Sequence, residues 1–326
     1  MSKIAFDKPK YKSFELPGAC PQYNPDRYGQ VAHIALDLAL DIPNQLCEGT
    51  CTTTIVPVRD GIKSITLDAV EMQIQSVQVS GQDQPFSYDG HQLQIGLINA
   101  TVIGTAIDLC IAYKLDRPQR GIYFVAPNEH YPNKPTQVWT QGEDEDSRYW
   151  FPCFDYPGQL ASSEIRVAIP PSMMAISNGE LISKEEHGNS AIYHWKQTEV
   201  HPTYLMTLAV GDFAEIRDEW NGKPITYYVE KGREASAKLT MGKTPRMVDF
   251  FSKTYGYPYA YPKYAQVCID DFIFGGMENT SSTLLTDRCL LDDRAALDNL
   301  RSETLAAPSL TQAWDQCLIT AKSPNH

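Results

Sequence analysis

No H-x-x-x-H pair occurs among the seven histidines, His33, His91, His130, His187, His194, His201 and His326. No helix of this chain can therefore present two imidazoles one turn apart to a metal. His187, His194 and His201 recur every seven residues. Their surroundings read as strands and turns, where an odd spacing sends side chains to opposite faces, so they are read as surface or packing histidines. G-x-S-x-G, Walker and dinucleotide-binding fingerprints are absent, which removes the common nucleophile-elbow and phosphate-cradle chemistries. No apolar run approaches the roughly 18 residues that cross a bilayer. The start, Met1-Ser2-Lys3-Ile4-Ala5-Phe6-Asp7-Lys8, has neither an apolar h-region nor a small-residue cleavage site, so a cytoplasmic protein is expected. Positive charge is scarce: 28 Lys and Arg stand against 40 Asp and Glu, a formal charge of -12, which argues against nucleic acid or an anionic membrane as partner. The eight cysteines are scattered, with only Cys47 and Cys51 close together. That density excludes a disulfide framework and predicts reduced, mostly buried thiols.

What remains is an ordinary globular composition, 42% hydrophobic and 21% charged over 326 residues, long enough for two domains. Period-two apolar patterning dominates the first two hundred residues, as in Val31 to Leu40, Ser64 to Val70, Gln73 to Val79 and Ala106 to Leu115. It resumes in Glu164 to Ile169, Ala191 to Trp195 and Tyr204 to Val210. Turn signals such as Asp60-Gly61, Ser80-Gly81 and Asp89-Gly90 separate the runs. Residues 1–212 are thus expected to form an antiparallel β domain. Residues 213–326 change character: a strand at Ile225 to Val229 precedes a helical stretch from Glu234 to Tyr255. Lys243-Thr244-Pro245 should break that helix in two, and Gly256 should end it. Tyr264 to Ile269 and Phe272-Ile273-Phe274 then lead into a glycine pair.

That pair opens Gly275-Gly276-Met277-Glu278-Asn279. Two glycines beside an extended segment let another backbone approach a strand edge, where a peptide can add as an extra strand. Glu278 alongside could receive an ammonium in a charge-assisted hydrogen bond. Alone, the pentapeptide could equally be a hairpin turn with a surface glutamate. Three further stretches bear on the choice. Gln141-Gly142-Glu143 precedes Arg148-Tyr149-Trp150-Phe151-Pro152-Cys153-Phe154-Asp155-Tyr156-Pro157, and Ser177-Asn178-Gly179 forms a later turn. Glu143-Asp144-Glu145-Asp146 lacks the spaced ligands of a calcium loop, which leaves a solvated acidic turn as the plain reading.

In these motifs, and in their order along the whole chain, the sequence resembles the aminopeptidase N and leukotriene-hydrolase family of gluzincin zinc aminopeptidases. The resemblance implies a mainly β fold with some α. A saddle-like antiparallel amino-terminal domain would be followed by the partial β-lobe of a thermolysin-like catalytic domain. It implies that Glu143 and Glu278 bind a substrate's α-ammonium with help from Gln141. It also implies that Gly275, Gly276 and Met277, with Asn279 beside them, line the bound peptide backbone. Two carboxylates around one cation select a free amino terminus, and without that cation they should raise each other's pKa. Cys153, within Phe-Pro-Cys-Phe, is expected to be a buried structural thiol.

The same resemblance locates a loss. Glu303-Thr304-Leu305-Ala306-Ala307 stands where the family's chain enters its H-E-x-x-H helix, and Trp314 matches a tryptophan just after it. Pro308 and Gln312 occupy the two histidine positions, and Ser309 that of the glutamate. Proline has no donor atom, glutamine's amide is a poor zinc ligand, and a serine hydroxyl is no base near neutral pH. Pro308 also opposes a helix through it by roughly 3 kcal/mol. The family's third metal ligand and its oxyanion-steadying tyrosine would fall after His326. The expectation is a truncated homologue with no catalytic residue and no cofactor of its own, where the family uses zinc. The alternative is a non-catalytic peptide-binding module. Its partners would be peptides with a free amino terminus, bound weakly. An active enzyme would need a second chain to bring a whole metal helix. Apolar residues Leu305, Leu310, Trp314 and Leu318 are expected to give a self-association surface or a frayed tail.

Overall fold

The computed structural model of the protein describes residues 27–297. Its largest element is an eight-stranded sheet in the order Glu180–His187, Ser190–Pro202, Leu160–Ile169, Gly29–Asp41, Leu46–Pro57, Ile107–Asp116, Gln73–Val79, Gln82–Asp83. Neighbours run antiparallel except Gly29–Asp41 and Leu160–Ile169, which pair in parallel with Leu36 opposite Ile165. A parallel pair cannot be closed by a tight turn. The chain accordingly turns straight back from Asp41 into Leu46–Pro57 and builds further strands of this and other sheets before Leu160–Ile169 takes the place on the other side of Gly29–Asp41. Along Gly29–Asp41 burial alternates as the pattern requires, with Leu36, Leu38 and Leu40 inward and Asp37 and Asp41 outward.

The buried face of this sheet packs on two smaller ones. One has the order Ser64–Asp68, Gln92–Gly96, Phe86–Tyr88; the other Met174–Ser177, Leu208–Gly211, Gln137–Thr140, Ile122–Val125. Leu36, Ile55, Leu67, Ile95, Tyr113 and Trp150 meet in the shared core. The four-stranded sheet has no wet face. Val138, Ala175 and Val210 join this core, while their neighbours Trp139, Ile176 and Ala209 point the other way. There they meet Phe213, Tyr228, Val267 and Leu284 of a fourth layer.

That layer is a five-stranded sheet, Phe213–Trp220, Lys223–Glu230, Tyr264–Ile269, Ser282–Thr286, Gly276–Met277. Its two inner pairings are parallel and its two outer ones antiparallel. Tyr264–Ile269 is buried at every residue, as a central strand covered on both faces must be. The far face is covered by α1 (Glu234–Met241) and α2 (Thr244–Tyr255), which bury Met241 and Val248 against Ile225, Tyr227 and Tyr264. The break between the helices falls where Lys243-Thr244-Pro245 predicts it. Pro245 lies in the first turn of α2, where its missing N–H is no loss.

Gly256 ends α2 in the left-handed region at φ 67°. Gly256→Ala should cost about 1 kcal/mol through that backbone alone, since a Cβ there would touch nothing. Thermal unfolding checks this, with a drop of roughly 2–4 °C expected. The expected strand over Tyr204 to Val210 is shorter than predicted. Thr203–Leu205 is a 3₁₀ turn and the strand begins at Leu208. Side chains take over the ladder there: the Thr207 amide donates to Asn178 Oδ1 (2.8 Å) and the Leu208 amide to Thr140 Oγ1 (2.9 Å).

Candidate functional site

Gly276–Met277 is a two-residue strand at the edge of the five-stranded sheet, paired among the described residues only with Ser282–Thr286: Gly276 opposite Leu285, Met277 opposite Leu284. The Thr286 amide donates to the Gly275 carbonyl at 3.2 Å and closes the turn. A Cβ built on Gly275 would meet no atom within 4 Å, and its φ lies outside the left-handed region. Neither its own backbone nor its neighbours in this chain demand glycine there. Ile273 and Phe274, just before it, are about half exposed.

The residues after Met277 turn inward. Glu278 is 9% exposed and Asn279 wholly buried. What draws them in is the Ser177-Asn178-Gly179 turn. Asn178 Nδ2 donates to the carbonyls of Thr280 (2.6 Å) and Leu205 (2.9 Å), and the Gly179 amide donates to Ser281 Oγ (2.7 Å). His201 links Thr280 Oγ1 (3.0 Å) on one ring nitrogen and Ser163 Oγ (2.7 Å) on the other. Lys263 Nζ donates to the carbonyls of Ser177 (2.8 Å) and Ser281 (3.1 Å). Burial alone pushes His201 down to about 3 and Lys263 down to about 7. The segment following Glu278 is thus clamped to the β-rich part of the chain by buried hydrogen-bonding groups.

From the other side comes the end of Gln137–Thr140. Gln141 follows it, fully buried, and its Nε2 donates to Met277 Sδ at 3.2 Å. Glu143 lies two residues on, exposed, at the mouth of the same site. Its pKa is raised by partial desolvation first, then by the charge of Glu278, then by Asp144. Glu278 is raised by its own burial. The mutual repulsion expected of two facing carboxylates is therefore felt at Glu143, whereas desolvation governs Glu278. Gln141 Oε1, both polar atoms of the Asn279 amide and Ser282 Oγ are buried without a hydrogen-bond partner among the described residues. Such atoms are costly unless something binds them. Gln141, Glu143 and the segment Gly275 to Asn279 are thus brought to one place: a free strand edge, two carboxylates and unmet amide groups. Such a surface can take an extended backbone and a cation together.

The Arg148 to Pro157 stretch has a different use. Arg148 grips Asp155 through its backbone amide and Nε, both 3.1 Å, and lies 3.9 Å from Asp68. Burial lifts Asp155 to about 6 against the pull of Arg148. Cys153 bridges Asp68 through backbone bonds of 2.9 and 3.0 Å, with its own thiol buried and its pKa raised well above the ordinary value. This motif ties the three-stranded sheet to the rest and offers no nucleophile.

The three spaced histidines do not converge. His187 is exposed, His194 bonds Glu164 and His201 is the buried linker above. Among the described residues, no group of three or more His, Cys, Asp or Glu side chains could hold a metal ion. The described residues thus offer no ligand set for the zinc that the resemblance implies. Pro308, Ser309 and Gln312, with Leu305, Leu310, Trp314 and Leu318, lie outside the described residues. No described helix is long and apolar enough to cross a membrane. Lys263, Thr280 and Ser281, which seat Glu278 together with His201, were not singled out by sequence, and His201 was read only as a surface or packing histidine. The only sign of them is the run of small hydroxyl residues after Asn279.

The peptidase M1 N-terminal domain matches residues 21–205 and the peptidase family M1 domain residues 239–326. A leucyl aminopeptidase of Saccharolobus solfataricus is 26% identical over 268 residues, 80% of this chain and 32% of that protein. A probable aminopeptidase 1 of the same organism is 28% identical over 264 residues, again 80% and 32%. Aminopeptidase M1 of Arabidopsis thaliana is 28% identical over 208 residues, 63% and 24%. The chain thus spans about a third, or less, of the length of these relatives. With one family's domains matched in order on both sides of the Gln141–Met277 contact, this chain belongs to peptidase family M1.

Proposed function

We propose that this chain captures the free amino terminus of a peptide, holding its ammonium between Glu143 and Glu278 and its backbone along Gly275, Gly276 and Met277. The observation that carries the reading is the meeting of Gln141 with Met277 beside two carboxylates whose pKa values are raised. A cation entering there regains by pairing what desolvation and repulsion cost the empty site. The relatives are named aminopeptidases, which supports metal-dependent release of amino-terminal residues as the activity of the longer proteins. In these 326 residues, Pro308, Ser309 and Gln312 stand at the metal-helix positions and provide neither ligands nor a general base. The chain by itself therefore binds without cleaving.

Calorimetric titration with a peptide and its amino-acetylated form tests this. Acetylation removes the charge and should weaken binding by about tenfold or more, the scale of one lost charge-assisted hydrogen bond. Equal affinity for both forms would remove the proposal. Aminoacyl anilides should stay intact with the same protein and added zinc; turnover that a chelator abolishes would refute the non-catalytic half.

A further inference from the structure

Cys268 and Cys289 place their sulfurs 3.9 Å apart in the helix-covered core of the five-stranded sheet. The topology makes this contact. Cys268 lies in the central strand opposite Leu285 of the parallel neighbour Ser282–Thr286. That neighbour ends in one 3₁₀ turn, Asp287–Cys289, capped by Thr286, whose side chain accepts from the Arg288 amide. The turn folds Cys289 back over Cys268. A disulfide draws its sulfurs to roughly 2.0 Å, so closure needs a further approach of about 2 Å.

The two thiols are chemically unequal. Cys289 is held below its ordinary pKa, first by the hydrogen bond from Cys268 and against its own burial, while Cys268 is pushed up by the same bond and by burial. Burial instead raises Cys47 and Cys51 to about 12 and moves Cys153 well up, in contrast to Cys289, which is displaced towards thiolate. Access is narrow: both side chains are nearly buried. Cys268 borders a cavity of about 10 Å³ between Gln137, Arg233, Asp270 and Asp287. That is room for about one small molecule beside Cys268, whose sulfur is 3.9 Å from that of Cys289, and it excludes a bulky disulfide reagent.

We propose that Cys268 and Cys289 form a reversible disulfide when oxidised by hydrogen peroxide, closing a covalent ring around the segment that carries Gly275 to Asn279. The Cys289 thiolate attacks one peroxide oxygen, the O–O bond breaks, and the departing hydroxide takes a proton to become water. The resulting sulfenic sulfur is attacked by Cys268. The S–S bond forms, the S–O bond breaks, and the hydroxyl leaves as water with the proton of Cys268. Two thiols lose two electrons and one peroxide becomes two waters. Nothing in this depends on the peptide-binding reading.

The test treats the folded full chain with hydrogen peroxide, removes the excess with catalase, alkylates in denaturant and maps the unreduced digest by mass spectrometry. A linked Cys268–Cys289 peptide that dithiothreitol removes is expected, exceeding any other cysteine pair by about tenfold or more. In Cys268→Ser, Cys289 should instead accumulate as a sulfenic acid, trapped by dimedone added with the denaturant. Recovery of both residues as alkylated thiols, or links spread over Cys47, Cys51, Cys110 and Cys153, would overturn the proposal. Wild-type mapping alone decides if the variant fails to fold.

Discussion

Replacing Glu278 by glutamine is expected to weaken binding of a free-amino-terminal peptide by about 10- to 100-fold, from a lost charge-assisted hydrogen bond of roughly 1.5–3 kcal/mol. The same change should stabilise the unliganded protein. Glu278 sits at 9% exposure and its carboxyl is raised by burial, while Glu143 is raised in part by the charge of Glu278. A carboxyl whose folded pKa exceeds its unfolded value contributes stability that is fully present below the unfolded pKa. That contribution is lost as pH rises through the folded pKa. At neutral pH the ionised pair is therefore a cost to the fold, and glutamine removes the charge at Glu278 together with its effect on Glu143. Peptide binding should respond to pH in the opposite direction. It needs both carboxylates ionised, so it should fade on acidification at a higher pH than an ordinary carboxylate pair would give. Titration of the variant and a urea midpoint, each measured from pH 4 to 8, check both halves. Unchanged affinity with unchanged stability would show that Glu278 faces no ligand and bears no uncompensated charge.

Legibility in the sequence followed the solvent. Strands with one wet face, such as Gly29–Asp41, alternate in burial and could be read from their period of two. The four-stranded layer could not be read that way. Gln137–Thr140 is buried at every position because Val138 and Trp139 serve different cores. The helix break at Lys243-Thr244-Pro245 and the stop at Gly256 were legible because proline and glycine act on the backbone locally. At the site, Gln141, Glu143 and Gly275 to Asn279 could be named from motifs. The sulfur contact that joins Gln141 to Met277 spans 136 positions and follows from no local rule. The clamp behind Glu278 was hidden for the same reason: His201, Lys263 and Ser281 become partners only when two sheets meet.

Removing Asn178 should be the most damaging single change in that clamp. Its side chain donates to the Leu205 and Thr280 carbonyls and accepts from the Thr207 amide, all buried. Asn178→Ala leaves three backbone groups without a partner away from water, at about 1–3 kcal/mol each. A loss of about 3 kcal/mol or more is expected, seen as a lower urea midpoint at unchanged slope. Because the Thr280 carbonyl follows directly on Asn279, the loss should also free Glu278 to move and weaken peptide binding, with no site carboxylate altered. Acid should mimic the damage. His201 has a folded pKa far below its unfolded value of roughly 6.5. Its stabilising contribution is thus present above that unfolded value and is lost as pH falls towards about 3. Lys263, lowered to about 7, works in the same sense at higher pH, its contribution falling away between roughly 10.5 and 7. Hydrogen exchange at Thr280, Ser281 and Ser282 reports on the clamp directly. A lower protection factor there, meaning exchange compared with the intrinsic rate at the same pH, is the expected pattern in Asn178→Ala at pH 8 and in the wild type at pH 5. Protection that persists in both would mean that the β-rich part of the chain does not hold Glu278 in place.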